Sequence, residues 1–174
     1  NTQCESLQRF QPTSQSCGQH RLQFGQRPER GVIDPFDPGA ETNAFIAAGK
    51  GAGAAVTFTG VVRSLPDAPI TALVLECYPE LAIHQLTTLI EQARTRFGLL
   101  AATVIHRYGT LRPGEPIVQV MTLASHREAA FRGAEFLMDY LKTDAPFWKK
   151  ETGPDGTNWV EAKAEDDDAR ARWE

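Results

Sequence analysis

The chain has 174 residues and a formal net charge of −4, from 18 Lys and Arg against 22 Asp and Glu. That length suits one domain with a sizeable apolar core, and no stretch approaches the roughly 18 to 20 continuous apolar residues of a membrane span. The acidic balance excludes a general nucleic-acid binder, so any anion site has to be a local cluster of cations. Three cysteines, Cys4, Cys17 and Cys77, form no CxxC pair and no His/Cys ligand set. They give neither a disulfide framework nor a zinc site, and they fit a reducing compartment.

Residues 1–30 are rich in Gln, Ser and Arg, poor in aliphatic side chains and without period 2 or 3.6. They read as a disordered extension ahead of a domain over 31–174. The extension lacks the apolar stretch of a secretory signal and the amphipathic pattern of a transit peptide. From Gly31 the pattern is globular. DPFDPGAETNAFIAAGK carries proline punctuation and then a short helix that ends near Gly49. GAAVTFTGVVR (53–63) reads as a buried strand, and ITALVLECY (70–78) as its neighbour across a SLPDAP turn. Leu86, Leu89, Ile90, Ala93 and Phe97 line one face of a helix that ends at Gly98. AATVIHRYGTL and PIVQVMTLA follow as strands around an RPGE turn.

Ser125 and Glu128 match a capping box, with Ser125 at the N-cap and Glu128 at the third helical position. The helix they open carries an apolar stripe of Ala130, Phe131, Ala134, Leu137, Met138 and Leu141 and closes around Lys142. Pro146 then forbids an uninterrupted helix between Lys142 and Lys149. FWKKET, a GPDG turn and NWVEAK predict a two-stranded hairpin, and EDDDARARW reads as a solvated acidic end. The order α-β-β-α-β-β-α-β-β has hairpins where a doubly wound fold has crossovers, which predicts an α+β fold with a largely antiparallel sheet.

Cations recur in this pattern. Arg63 ends the first strand. His126 and Arg127 sit in the first turn of the third helix, where free N–H groups and the dipole favour an anion. Lys142 lies at the other end of that helix and Lys149 on the next strand. His126 and Lys142 are about 24 Å apart along a straight helix, so one chain brings both to a ligand only if the site is elongated or shared between chains. Each cation also has a plainer account. Lys142 complements the helix dipole, Lys149 beside Lys150 suits a solvated strand face, and His126 and Arg127 suit an exposed first turn. His106, in mid-strand, reads as a packed or hydrogen-bonded histidine, and Cys77 as a small core residue.

Taken together, VTFTGVVR, VIHRYGTLRPGE, SHREAAF and MDYLKTDAPFWKKE with WVEAK resemble the large, catalytic subunit of molybdopterin synthase, from about residue 30 onward. The resemblance implies an α/β-hammerhead-type α+β fold and a homodimer at the centre of a heterotetramer. It also implies a small ubiquitin-like sulfur-carrier subunit whose C-terminal Gly-Gly thiocarboxylate threads into the large subunit. Two sulfurs then pass to cyclic pyranopterin monophosphate to form the molybdopterin dithiolene, with no cofactor or metal, no nucleic acid and no membrane, in the cytoplasm. Lys142 and Lys149 match the family's catalytic lysines. Phe58, Arg63, His126, Arg127 and Met138 match positions around the pterin and its phosphate, and Lys163 falls where the family has an arginine from the second protomer. The residue types suit that chemistry. Opening a cyclic phosphate ester develops negative charge, which fixed Arg and Lys donors stabilise more in the reacting state than in the ground state. A non-catalytic module for a ubiquitin-like tail and a general phosphate binder are the competing classes; the second lacks a glycine-rich phosphate loop.

Overall fold

A computed structural model describes residues 35–143, 147–154, 156–160 and 171–173, together with the backbone of 20–24. Strand β1 (His20–Phe24) comes first. Helix α1 (Pro38–Ala48) follows, then strands β2 (Ala54–Val61) and β3 (Ala72–Cys77) and helix α2 (Pro79–Phe97). Strands β4 (Ala101–Leu111) and β5 (Pro116–Ala124) lead to helix α3 (Arg127–Thr143), and the chain continues as β6 (Phe147–Gly153) and β7 (Gly156–Val160). All described strand pairs are antiparallel, in the order β2-β5-β4-β3-β6-β7, with β1 also paired to β4. This is the expected α+β fold. No helix among the described residues is long and apolar enough to cross a membrane.

Local chemistry explains where the elements begin and end. Asp37 caps α1, its Oδ1 accepting from Gly39 N at 2.8 Å and Ala40 N at 3.1 Å, with Pro38 in the first turn. Gly98 closes α2 at φ 64, a left-handed conformation that glycine adopts without a Cβ clash. β4 is the long central strand. Its first half pairs with β5, and its end, from Gly109 to Leu111, pairs with β3, which passes the sheet on to the β6–β7 hairpin. Helices α2 and α3 cover one face through a core that includes Leu86, Ile90, Val104, Val120, Phe136 and Leu137.

Six expectations need correction. The strand over 53–63, expected to be buried and to neighbour 70–78, has no buried residue in β2. It lies at the sheet edge, pairs with β5 and is three strands from β3, because an apolar run alone does not distinguish an edge strand from a central one or fix its partner. Within the extension read as disordered, the backbone of His20–Phe24 pairs with Val104–Tyr108 of β4. Backbone pairing on the edge that β3 leaves open requires no side-chain alternation, so periodicity could not signal it; the rest of 1–30 lies outside the described residues. The first bond of α3 runs from Ala130 N to the His126 carbonyl, so the helix starts one residue later than the Ser125 capping box implies. Phe131 is 61% exposed and leaves the predicted stripe, whereas Gly133 and Phe136 are buried in it. Trp173 is buried, not solvated: its ring packs edge-on against Phe97 and Phe136. The acidic residues before it lie outside the described residues, as do Pro146 and the bend expected there.

Candidate functional site

The N-terminal end of α3 is set by a close backbone approach. Gly53 N donates to the Ala124 carbonyl at 3.0 Å, and a Cβ on Gly53 would run into the Ser125 carbonyl oxygen. Thr122, buried on β5, donates to the Ala130 carbonyl at 2.8 Å and fixes the first turn over the sheet. His126 and Arg127 are exposed there, beside helix N–H groups that lack intrahelical acceptors.

The other end of α3 carries Lys142, exposed beside the buried Leu141. Met138, one turn earlier, is half-buried and packs against the core. Strand β6 begins with Phe147, which packs against the same core as Leu141, so the two lysine-bearing segments share a foundation. Side chains alternate along β6. Trp148 and Lys150 take one face. There Lys150 pairs with Glu76 and stands 4.0 Å over the Trp159 ring, while Trp148 meets Tyr78 edge-on. Phe147 and Lys149 take the opposite face. Of the two adjacent lysines, Lys150 is thus held by structural contacts, and Lys149 has no hydrogen bond or ion pair among the described residues.

Beneath Lys149 lies His106. Its ring stacks on Phe147 with centroids 3.8 Å apart and planes 12° apart, and its Nδ1 is 2.8 Å from the Arg107 carbonyl. A carbonyl only accepts, so Nδ1 carries the proton. Burial, opposed by that backbone bond and reinforced by the Lys149 charge, lowers the imidazole pKa to about 4. His106 is therefore neutral near pH 7, packed and hydrogen-bonded as the sequence suggested. What the sequence did not reveal is its electrostatic contact with Lys149; the alternation that puts 147 and 149 on one face was the available signal. Burial also pushes the Cys77 thiol up to about 11, leaving it protonated and a poor nucleophile.

The remaining predicted residues lie apart within one chain. Arg127 and Lys142 are held about 22 Å apart by the continuous α3. Phe58, 42% exposed on β2, is four strand spacings from β6, about 19 Å. Arg63 follows Val62, which bonds the β4–β5 turn through Glu115 and Gly114, and so lies at the opposite end of the β2–β5 pair from His126. Lys163 lies outside the described residues. A groove of about 720 Å³ along α2 and α3, lined by Thr87, Glu91, Thr95, Arg96, Phe136 and Tyr140 among others, contains none of these residues. Among the described residues no group of three or more His, Cys, Asp or Glu side chains is placed to hold a metal ion.

The family model described as MoaE protein matches residues 32–144. The chain belongs to the MoaE protein family. The match includes Phe58, Arg63, His126, Arg127, Met138 and Lys142 and ends before Lys149. The molybdopterin synthase catalytic subunit of Cereibacter sphaeroides is 51% identical over 140 residues, 80% of this chain and 95% of that one. Among solved structures, the molybdopterin biosynthesis MoaE protein from Burkholderia ambifaria superposes with a TM-score of 0.68 at 45% identity, covering 81% of this chain and 93% of that chain. Molybdopterin synthase from Staphylococcus aureus also gives a TM-score of 0.68, at 27% identity, covering 75% and 94%. This MoaE-family chain thus presents two cationic stations, one at each end of α3.

Proposed function

We infer that this chain is the catalytic subunit of a molybdopterin synthase, a sulfurtransferase of molybdenum cofactor biosynthesis. Its substrate is cyclic pyranopterin monophosphate, and its sulfur comes from the C-terminal Gly-Gly thiocarboxylate of a small ubiquitin-like carrier subunit. The observation that carries the reading is the arrangement of Lys142 and Lys149 on adjoining segments of one core, with Lys150 turned away into its Glu76 and Trp159 contacts. Two amines that reach the same reacting group can polarise the thiocarboxylate carbonyl and act as acid and base during transfer. In a site shared between two chains the phosphate is taken by Arg63 of one chain and by His126, Arg127 and Lys163 of its partner, beside Phe58 and Met138.

The separation of the two ends of α3 supports a homodimer in which one chain's lysines complete a site with the partner's helix N-terminus. A carrier on each side makes a heterotetramer. The free Cys77 thiol fits a reducing, cytoplasmic setting.

The test is single-turnover conversion of the cyclic pterin by the thiocarboxylated carrier. Lys142→Ala and Lys149→Ala are expected to slow dithiolene formation by about 100-fold or more while still binding the carrier. Lys150→Ala is expected to stay within about twofold of wild type, since its exposed ion pair is worth little. Wild-type turnover in both Lys142→Ala and Lys149→Ala would overturn the assignment.

A further inference from the structure

We propose that His106 is a positioning residue for Lys149, fixing where its amine stands while adding no charge beside it. This rests on the reading of Lys149 as a reacting amine. The geometry has three parts. The imidazole is buried and cannot turn, because Nδ1–H is bonded to the Arg107 carbonyl at 2.8 Å. Its flat face lies against Phe147 at 3.8 Å, a closer and more parallel contact than the edge-on and tilted packing of the other aromatic pairs around α3. Phe147 opens β6, and Lys149 is the next residue on the same face.

The position of the first residues of β6 depends on what they pack against. Cys77 opposite Phe147 and Leu75 opposite Lys149 set the register, and the imidazole sets the height of Phe147 on the sheet. A phenyl ring alone at position 106 would pack but would lack the bond that holds it in plane. A cationic side chain there would repel Lys149. A neutral, proton-bearing, immobile ring meets both needs. The charge that acts on the imidazole is Lys149 from β6, while Cys77 and Glu80 act on Tyr108, two residues along β4. The burial-raised thiol of Cys77 and the raised phenol of Tyr108 are both uncharged near neutrality, and Lys149 is the side-chain charge that acts on His106.

The experiment is a double-mutant cycle in the full chain with its carrier. His106→Asn keeps a donor for the Arg107 carbonyl and removes the ring, and His106→Phe keeps the ring and removes the donor. Each is expected to lower kcat for dithiolene formation by about tenfold, with carrier affinity and the pterin KM within about twofold of wild type. Combined with Lys149→Ala, neither is expected to slow the reaction further, because His106 acts through that amine. A folded His106→Asn with wild-type kcat would overturn the proposal, and so would full additivity with Lys149→Ala. If His106→Asn does not fold, His106→Phe carries the same cycle. Should Lys149→Ala alone turn over normally, the reading of Lys149 as a reacting amine is what fails, and that result is separate from the His106 comparison.

Discussion

The indole Nε1 of Trp173 donates to Asp139 Oδ2 at 2.7 Å, a buried bond that ties residues 171–173 to the C-terminal half of α3. Arg172 reaches the same carboxylate at 3.3 Å and Glu135 at 2.8 Å, and Arg96 donates to the Trp173 carbonyl at 2.6 Å. These contacts join α2, α3 and the C-terminal residues at one point. Trp173→Ala should therefore cost about 3–5 kcal/mol, through the lost ring and the cavity it leaves. Trp173→Phe should cost less, about 1–2 kcal/mol, because the ring stays and Asp139 loses one donor. Urea denaturation of the two variants checks the order. Equal losses would mean that the hydrogen bond, not the packing, dominates.

Gly53 is the tightest backbone contact at the start of α3. A methyl group there meets the Ser125 carbonyl, part of the backbone that leads into His126 and Arg127. Gly53→Ala is expected to destabilise by about 1–3 kcal/mol, the usual range for forced overpacking. It should also raise the pterin KM, since the shift falls on the two residues proposed to take the phosphate. A destabilised variant with an unchanged KM would separate the backbone contact from substrate binding.

The proposed sharing of the site between protomers has a direct consequence for mixed dimers. Arg127 and Lys142 are too far apart on one α3 to serve one small substrate, so the proposed dimer site would draw them from different chains. Arg127→Ala and Lys142→Ala should each be nearly inactive as pure proteins. Mixed after unfolding and refolding, half of the dimers pair the two variants, and each of these has one site in which both residues are intact. About a quarter of wild-type activity is expected. No recovery would place both residues in the same chain's site and contradict the shared arrangement.

The elements themselves were readable because each is marked by a local device: Asp37–Pro38 at the start of α1, Gly98 after α2, the RPGE turn between β4 and β5. The lysines were readable as candidates because Pro146 breaks the helical spacing between them. Among the features that were not, three share a cause. β1 is held by backbone pairing, which leaves no trace in side-chain period. Phe131 satisfies the helical spacing of the stripe, yet the helix turns it outward while Gly133 approaches Leu99; spacing alone does not fix the rotation of a helix on its sheet. Trp173 follows an acidic run and is buried by contacts to residues 34 to 77 positions earlier in the chain, a distance beyond any local pattern. Long-range packing, not local propensity, decided each of the three.

His106 gives the fold a defined response to acid. Its imidazole pKa falls from 6.5 to about 4 in the folded chain, chiefly through burial. Above about pH 6.5 the ring is neutral in both folded and unfolded states and contributes no pH dependence. As pH falls from 6.5 toward 4, the unfolded chain takes up a proton that the folded chain refuses, so stability is lost across that window. The full loss is on the order of 3 kcal/mol and levels off below about pH 4. His106→Asn removes this response. It should be the less stable protein at pH 7, because it lacks the stacked ring, and the gap to wild type should narrow as the pH is lowered to 4.5. Urea midpoints for both proteins at pH 7, 5.5 and 4.5 make the comparison. A gap that stays constant across the three would mean that His106 titrates near its ordinary value, and that the ring is neither as buried nor as close to Lys149 as the geometry indicates.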